Sequence, residues 1–358
     1  MFASPIGFDA VMASFLIITL IIVFSYEEIP KNSTPSVGTI FIVFIAILLM
    51  GLAPATADIG TDRPNYADMF FHVDAQLQRG FRDVGFSYFL KLCEITTGSV
   101  TGFFLISACI YIIASVYFYK KACPSKYIYM VLLCFLSLGF TNHYYNVLRS
   151  GLCISFLLIA ISRNQKMWKT IVFSLLSISF HKSGILVVLG YLMTYKLKNT
   201  KLLYVFWGGM LVMLLAGFFD SFAQYTELFK YIDDSRVNQY LSGNDLGYKV
   251  GLRLDFITYS LFPIFVGWYY IFKRKFSDKY YVHIYNTYLF CNSCWLVFSK
   301  MPHNDRLAYL SWFLIPYILL YPLLCEPKEG NVIKNKKLLL AFFMIVIVGL
   351  NFYLKYMR

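Results

Sequence analysis

Apolar stretches long enough to cross a bilayer recur along the whole chain, with short polar connections between them. They lie at 8–26, 37–54, 100–119, 126–142, 146–162, 202–220, 252–272, 282–299, 306–325 and 337–354. A helix rises about 1.5 Å per residue and the hydrocarbon core is about 30 Å thick, so each stretch is a candidate span. An eleventh apolar region is interrupted by His181-Lys182-Ser183, which leaves pieces at 168–180 and 184–195. Each piece is only about 20 Å long, too short to cross alone. The pattern predicts two half-helices meeting at the break. The chain then reads as an all-α polytopic membrane protein with about twelve helices, one integral domain over 1–358.

Composition agrees. Hydrophobic residues make up 59% of the chain and charged residues 14%, far from a soluble domain. The first ten residues carry no Lys or Arg, so the first apolar run reads as a retained span and not as a cleaved signal. Cys109, Cys134, Cys153, Cys291, Cys294 and Cys325 fall in spans. Cys291 and Cys294 form a C-x-x-C on an apolar helix and read as packing. There is no paired Cys/His set, no glycine-rich phosphate loop and no internal repeat, so no metal and no cofactor are expected.

Charge sets orientation. Short Lys-rich connections at 120–126, 163–169, 196–201, 273–279 and 328–337 belong in the cytoplasm. Both termini then lie on the extracytoplasmic side. So do the loops 55–99, with an interfacial amphipathic helix in "RDVGFSYFLKL", and 221–251. The basic loops on either side of the His181 region stay inside only if its half-helices enter and return. Sixteen of 22 lysines fall inside and eight of ten arginines outside. Positive charge on this pattern serves topology, which argues against nucleic acid. Arginine on the outer side suits two-pronged recognition of phosphate.

Four polar clusters fall on that side. "DIGTDRPNYADMF" carries Asp58, Asp62 and Tyr66 at helical spacing. "NHYYNVLRSGLCISF" sets Arg149 before small residues that let helices approach closely. The break supplies His181, Lys182 and Ser183. "KMPHNDRLAYLSWF" supplies His303, Asp305 and Arg306. Arg253 opens a later span.

These clusters, in this order, resemble the EpsG family of exopolysaccharide proteins and the related Wzy-type O-antigen polymerases. The resemblance is carried by Asp62 and Tyr66, then Asp83, Gly85 and Phe86. Next come Arg149 in "RSGLCISF", Phe180, His181 and Ser183, and lastly Arg306. Ser150 stands where the family pattern usually has Gln, and Asp83 where it usually has Glu. The resemblance implies a membrane-embedded glycosyltransferase of the bacterial cytoplasmic membrane. Its substrate would be undecaprenyl-diphosphate-linked oligosaccharide repeat units, polymerised at the outer face into O-antigen, capsule or exopolysaccharide. Membrane lipid, a chain-length regulator and a repeat-unit flippase are the implied partners.

In that chemistry Arg149 and Arg306 bind the donor diphosphate, assisted by Arg253 or Lys182. His181 or Asp62 is the base, with Tyr66, Asp58, Ser183, His303 and Asp305 binding substrate. Two alternatives stay open. An O-antigen ligase uses the same donor but normally carries a larger outer loop than 221–251. A flippase would carry charges through its spans, whereas these spans read as clean.

Overall fold

The computed structural model describes residues 37–56, 62–78, 83–219, 251–300, 304–325 and 335–356, with a few isolated positions before 22. Among them every regular element is helical. The second outer loop and most of the first span lie outside the described residues. Two compact units form: Met1–Val188 with Ile315–Arg358, and Leu189–Leu314.

The first unit contains α1 (Val37–Gly51), three short helices α2 (Arg63–Phe71), α3 (Val73–Gln78) and α4 (Val84–Thr97), then α5 (Val100–Ala122). It continues with α6 (Tyr127–Leu136), α7 (Leu138–Tyr145), α8 (Leu148–Ala160) and α9 (Met167–Phe180). The first turn of α10 (Gly184–Lys196) also belongs to it. After the second unit, α15 (Ile315–Leu324) and α16 (Lys336–Tyr356) complete it. The second unit holds the rest of α10, α11 (Thr200–Leu215), α12 (Leu254–Trp268, extended by a π-turn to Lys273), α13 (Lys279–Val297) and α14 (Asp305–Trp312). Among the described residues four segments are long and apolar enough to cross a membrane: Val100–Ala122, Leu254–Lys273, Asp305–Leu324 and Lys336–Leu354. Shorter apolar helices, α9 and α10 among them, account for several of the other expected spans.

Local chemistry explains the boundaries. Gly98 ends α4 in the left-handed region (φ 59), and Ser99 caps α5 by accepting the Gly102 N–H at 3.1 Å. Asp278 and Asn199 cap α13 and α11 in the same way. Lys120 and Lys121 close α5 where its dipole is negative.

The break at 181–183 is present: α9 ends at Phe180, His181 is extended (φ −157, ψ 123), and α10 starts at Gly184. Two spans predicted as continuous are each broken as well. At 126–142 the chain turns extended at Ser137, whose hydroxyl bonds the Cys134 carbonyl at 2.7 Å and competes with the helix ladder. At 306–325 a tight turn at Phe313-Leu314 precedes Pro316, which has no N–H to continue the helix.

The amphipathic helix expected in the first outer loop is α4, but it is apolar on two faces. Phe86, Phe89, Leu90 and Cys93 are buried, while Tyr88, Leu92 and Ile95 are exposed. Between the faces Lys91 bonds Glu94 at 2.7 Å and Asp74 at 2.9 Å, which raises its pKa above the ordinary lysine value.

Within the first unit the connections sort to two ends. Cys123, after α5, is paired with Cys325, after α15, and Arg163, after α8, bonds the Tyr321 hydroxyl. The basic connections at 120–126 and 163–169 therefore share an end with the residues leading to 328–337. Cys325, placed by the sequence at the end of a span, is one half of that pair. At the other end meet the tail of α1 and the starts of α2, α4, α5 and α8. The second unit sorts likewise. Thr200 bonds Asn286 at 2.9 Å and Tyr191 bonds His283 through its carbonyl at 2.8 Å, so the connections 196–201 and 273–279 lie together.

The spans are not as clean as their composition suggests. Asn292, fully buried in α13, accepts from Trp207 Nε1 at 2.8 Å and donates to Ser260 and Ser311 hydroxyls at 3.0 Å. Trp312 Nε1 also bonds Ser260, at 2.8 Å. This network is neutral and ties α11, α12, α13 and α14 together, the role polar side chains play between membrane helices.

Candidate functional site

The first unit brings five of the sequence-derived site residues, Tyr66, Arg149, His181, Lys182 and Ser183, into one cluster and adds Asp83. Arg149 lies in the first turn of α8, where the helix dipole is positive. Its Nη1 donates to Asp83 Oδ2 at 2.6 Å, and both side chains are largely buried (19% and 12% exposed). Asp83 precedes α4, and its Oδ1 accepts the Lys182 N–H at 3.4 Å. One carboxylate therefore joins the starts of α4 and α8 to the break between α9 and α10. Phe86, on the first turn of α4, presents its ring 6.0 Å from the Arg149 guanidinium carbon, and Tyr66 packs edge-on against Phe86.

At the break, His181 Nδ1 lies 2.5 Å from Ser183 Oγ and accepts the Ser183 N–H at 3.3 Å. Both contacts hold the ring by its Nδ1 edge against Ser183. The break is supported from below. Cys153 Sγ is 3.0 Å from Ser177 Oγ and reaches toward the His181 carbonyl at 3.7 Å. A Cβ on Gly184 would lie 2.6 Å from that sulfur, and a Cβ on Gly85 would lie 2.2 Å from Ser179 Oγ. Only glycine lets α4 and α10 come so close to α8 and α9.

The other candidates are placed as follows. Asp62 precedes α2; its carbonyl accepts the Tyr66 N–H at 3.1 Å and its side chain does not cap the helix. Asp58 and His303 lie outside the described residues. In the second unit Arg253 pairs with Asp255, with Nε to Oδ1 at 2.9 Å, and stacks 3.8 Å over Phe256. Asp305 and Arg306 open α14, and Asp305 accepts from the Tyr309 hydroxyl at 3.2 Å. Arg306 and Arg253 thus belong to one unit, Arg149 and His181 to the other.

One arginine that the charge pattern assigned to the outer side is committed elsewhere. Arg63 is fully buried, donates to the carbonyls of Met50 (3.2 Å), Ala53 (2.8 Å) and Pro54 (3.0 Å), and lies 3.8 Å over Phe104. Through Nε and Nη2 it satisfies the carbonyls at the end of α1, at full burial. The uneven distribution of arginine therefore has a structural component that charge counting missed. Counting also gave Asp83 no place in the site, since its neighbours Arg149 and Lys182 are 66 and 99 positions away. The only signal for it was its place in the acidic-Gly-aromatic element. Among the described residues no group of His, Cys, Asp and Glu is arranged to hold a metal.

Compared with known proteins, the chain matches the model of the EpsG family over residues 38–357. No curated protein and no solved structure in the comparisons matches it.

Proposed function

The chain belongs to the EpsG family, whose members include Wzy-type polymerases, and from that premise we propose that it polymerises undecaprenyl-diphosphate-linked repeat units. The growing glycan moves from its lipid diphosphate onto the next lipid-linked unit at the outer face of the bacterial cytoplasmic membrane. The observation that supports this most is the meeting of Arg149, a helix N-terminus and the polar break at His181–Ser183 at the end of the first unit opposite its basic connections.

An acceptor hydroxyl attacks the anomeric carbon of the donor sugar. The new C–O bond forms as the bond to the diphosphate breaks, and undecaprenyl diphosphate leaves with the electron pair. Charge gathers on its oxygens in the transition state, where a pre-aimed guanidinium and helix dipole bind most strongly. Arg149 takes that role. His181 or Asp62 takes the proton of the attacking hydroxyl or orients the acceptor. Lys182, Ser183 and Tyr66 complete the first unit's contribution. Roles for Arg306, Arg253, Asp305, His303 and Asp58 rest on the sequence alone.

Purified protein given a single defined lipid-linked repeat should return a ladder of longer glycans and free undecaprenyl diphosphate. Transfer only onto a lipid A core acceptor, without extension of the repeat, would identify a ligase instead. Movement of intact repeats across vesicles without extension would identify a flippase. The neutral, internally bonded Asn292 network does not favour the flippase, since a conduit for a diphosphate requires charge.

A further inference from the structure

Asp83 does not behave as helix-leading aspartates ordinarily do. Its backbone is left-handed (φ 41, ψ 55), a conformation costly for a residue with a Cβ, and its side chain makes no bond to the N–H groups of α4. Both carboxylate oxygens are directed across the fold instead, one to Arg149 Nη1 at 2.6 Å and one to the Lys182 N–H at 3.4 Å. Gly85, two positions on, lets α4 close against the end of α9, where any side chain would collide with Ser179 and Phe180. Backbone strain, a diverted cap and a close approach all serve to bring this one anion to the guanidinium.

The geometry points to Asp83 as a positioning residue with two opposed effects on the lipid diphosphate. It aims the Arg149 fork and fixes the break that carries His181. It also occupies Arg149 before the substrate arrives, so a diphosphate must compete with it for the same cation. This inference rests on the proposed polymerase activity. Its consequence is that ground-state binding and turnover move apart. Loss of the negative charge frees Arg149 to bind anions more tightly, while loss of aim lowers transition-state stabilisation.

The test uses the full-length purified protein, with inorganic pyrophosphate as binding probe and a defined lipid-linked repeat for turnover. Asp83→Asn keeps the shape and removes the charge. Pyrophosphate should bind about tenfold more tightly, the size of one charge-assisted hydrogen bond, while turnover falls about tenfold or more. In an Arg149→Ala background the same change should alter neither quantity further. Parallel losses of affinity, turnover and melting temperature would make Asp83 an ordinary support and overturn the inference; so would no change in any of them. If the Asn variant does not fold, Asp83→Glu keeps the charge and moves it by one methylene. It should hold pyrophosphate affinity within about twofold and still lose turnover, because geometry and charge are separable there. Undiminished turnover in that variant overturns the inference. Unmodified protein that neither binds pyrophosphate nor extends the repeat removes the polymerase assignment and this inference together, an outcome distinct from an active wild type with an indifferent Asp83 variant.

Discussion

Arg149 and Asp83 form an ion pair at 2.6 Å across 66 residues of sequence, and the same carboxylate reaches the backbone of Lys182 on a third segment. The pair places a guanidinium at a helix start, beside a polar helix break.

Arg149→Lys should reduce polymerisation about a hundredfold while the protein accumulates normally, because lysine keeps the charge and loses the planar fork. Glycan length on gels and protein level by immunoblot read the two effects. Wild-type chain lengths from Arg149→Ala would remove Arg149 from the mechanism.

Arg63→Ala should behave differently. It leaves three carbonyls at the end of α1 without their donor and removes the stack on Phe104. The expected loss is about 3 kcal/mol of stability, seen as a lower melting temperature in detergent. Whatever protein stays folded should retain its catalytic constants.

Gly85→Ala forces a Cβ to within 2.2 Å of Ser179 Oγ and 3.0 Å of Phe180. α4 must withdraw from α9, at about 1–3 kcal/mol. Since α4 carries Asp83 into the site, turnover should fall as well. Full activity at an unchanged melting temperature would contradict the tight contact.

Asn292→Leu removes the acceptor of Trp207 and the donor to Ser260 and Ser311. A loss of about 1–3 kcal/mol is expected. Trp207→Phe removes one of those bonds and should cost less. In the double variant the losses should fall short of their sum, because the two residues share a bond.

Cysteines introduced at Asp62 and Ser183 in a cysteine-free background should react with a membrane-impermeant maleimide added outside intact cells. Those at Lys121 and Lys198 should react only after permeabilisation. Labelling of position 183 from the opposite side to position 62 would break the proposed site.

Much of the architecture was legible in the chain. Apolar runs of helical length give spans whatever they pack against, since a bilayer requires an unbroken stretch of satisfied backbone. The His181 break was legible too, because polar residues interrupt an apolar run at a defined place. The breaks at Ser137 and at Phe313-Leu314 were not. The first depends on a hydroxyl bonding its own helix, the second on how Pro316 is accommodated, and neither changes the hydropathy pattern.

Sequence by itself determined that the chain is helical and rich in apolar segments, which connections are basic, and that Arg149 and His181 belong to polar clusters at the ends of apolar runs. Only the tertiary structure decided which cations are available: it sets Arg63 against backbone carbonyls and Arg149 against Asp83. Composition treats all arginines alike. What separates them is the set of partners within about 3 Å, fixed by which helix ends meet and by where a glycine lets them close.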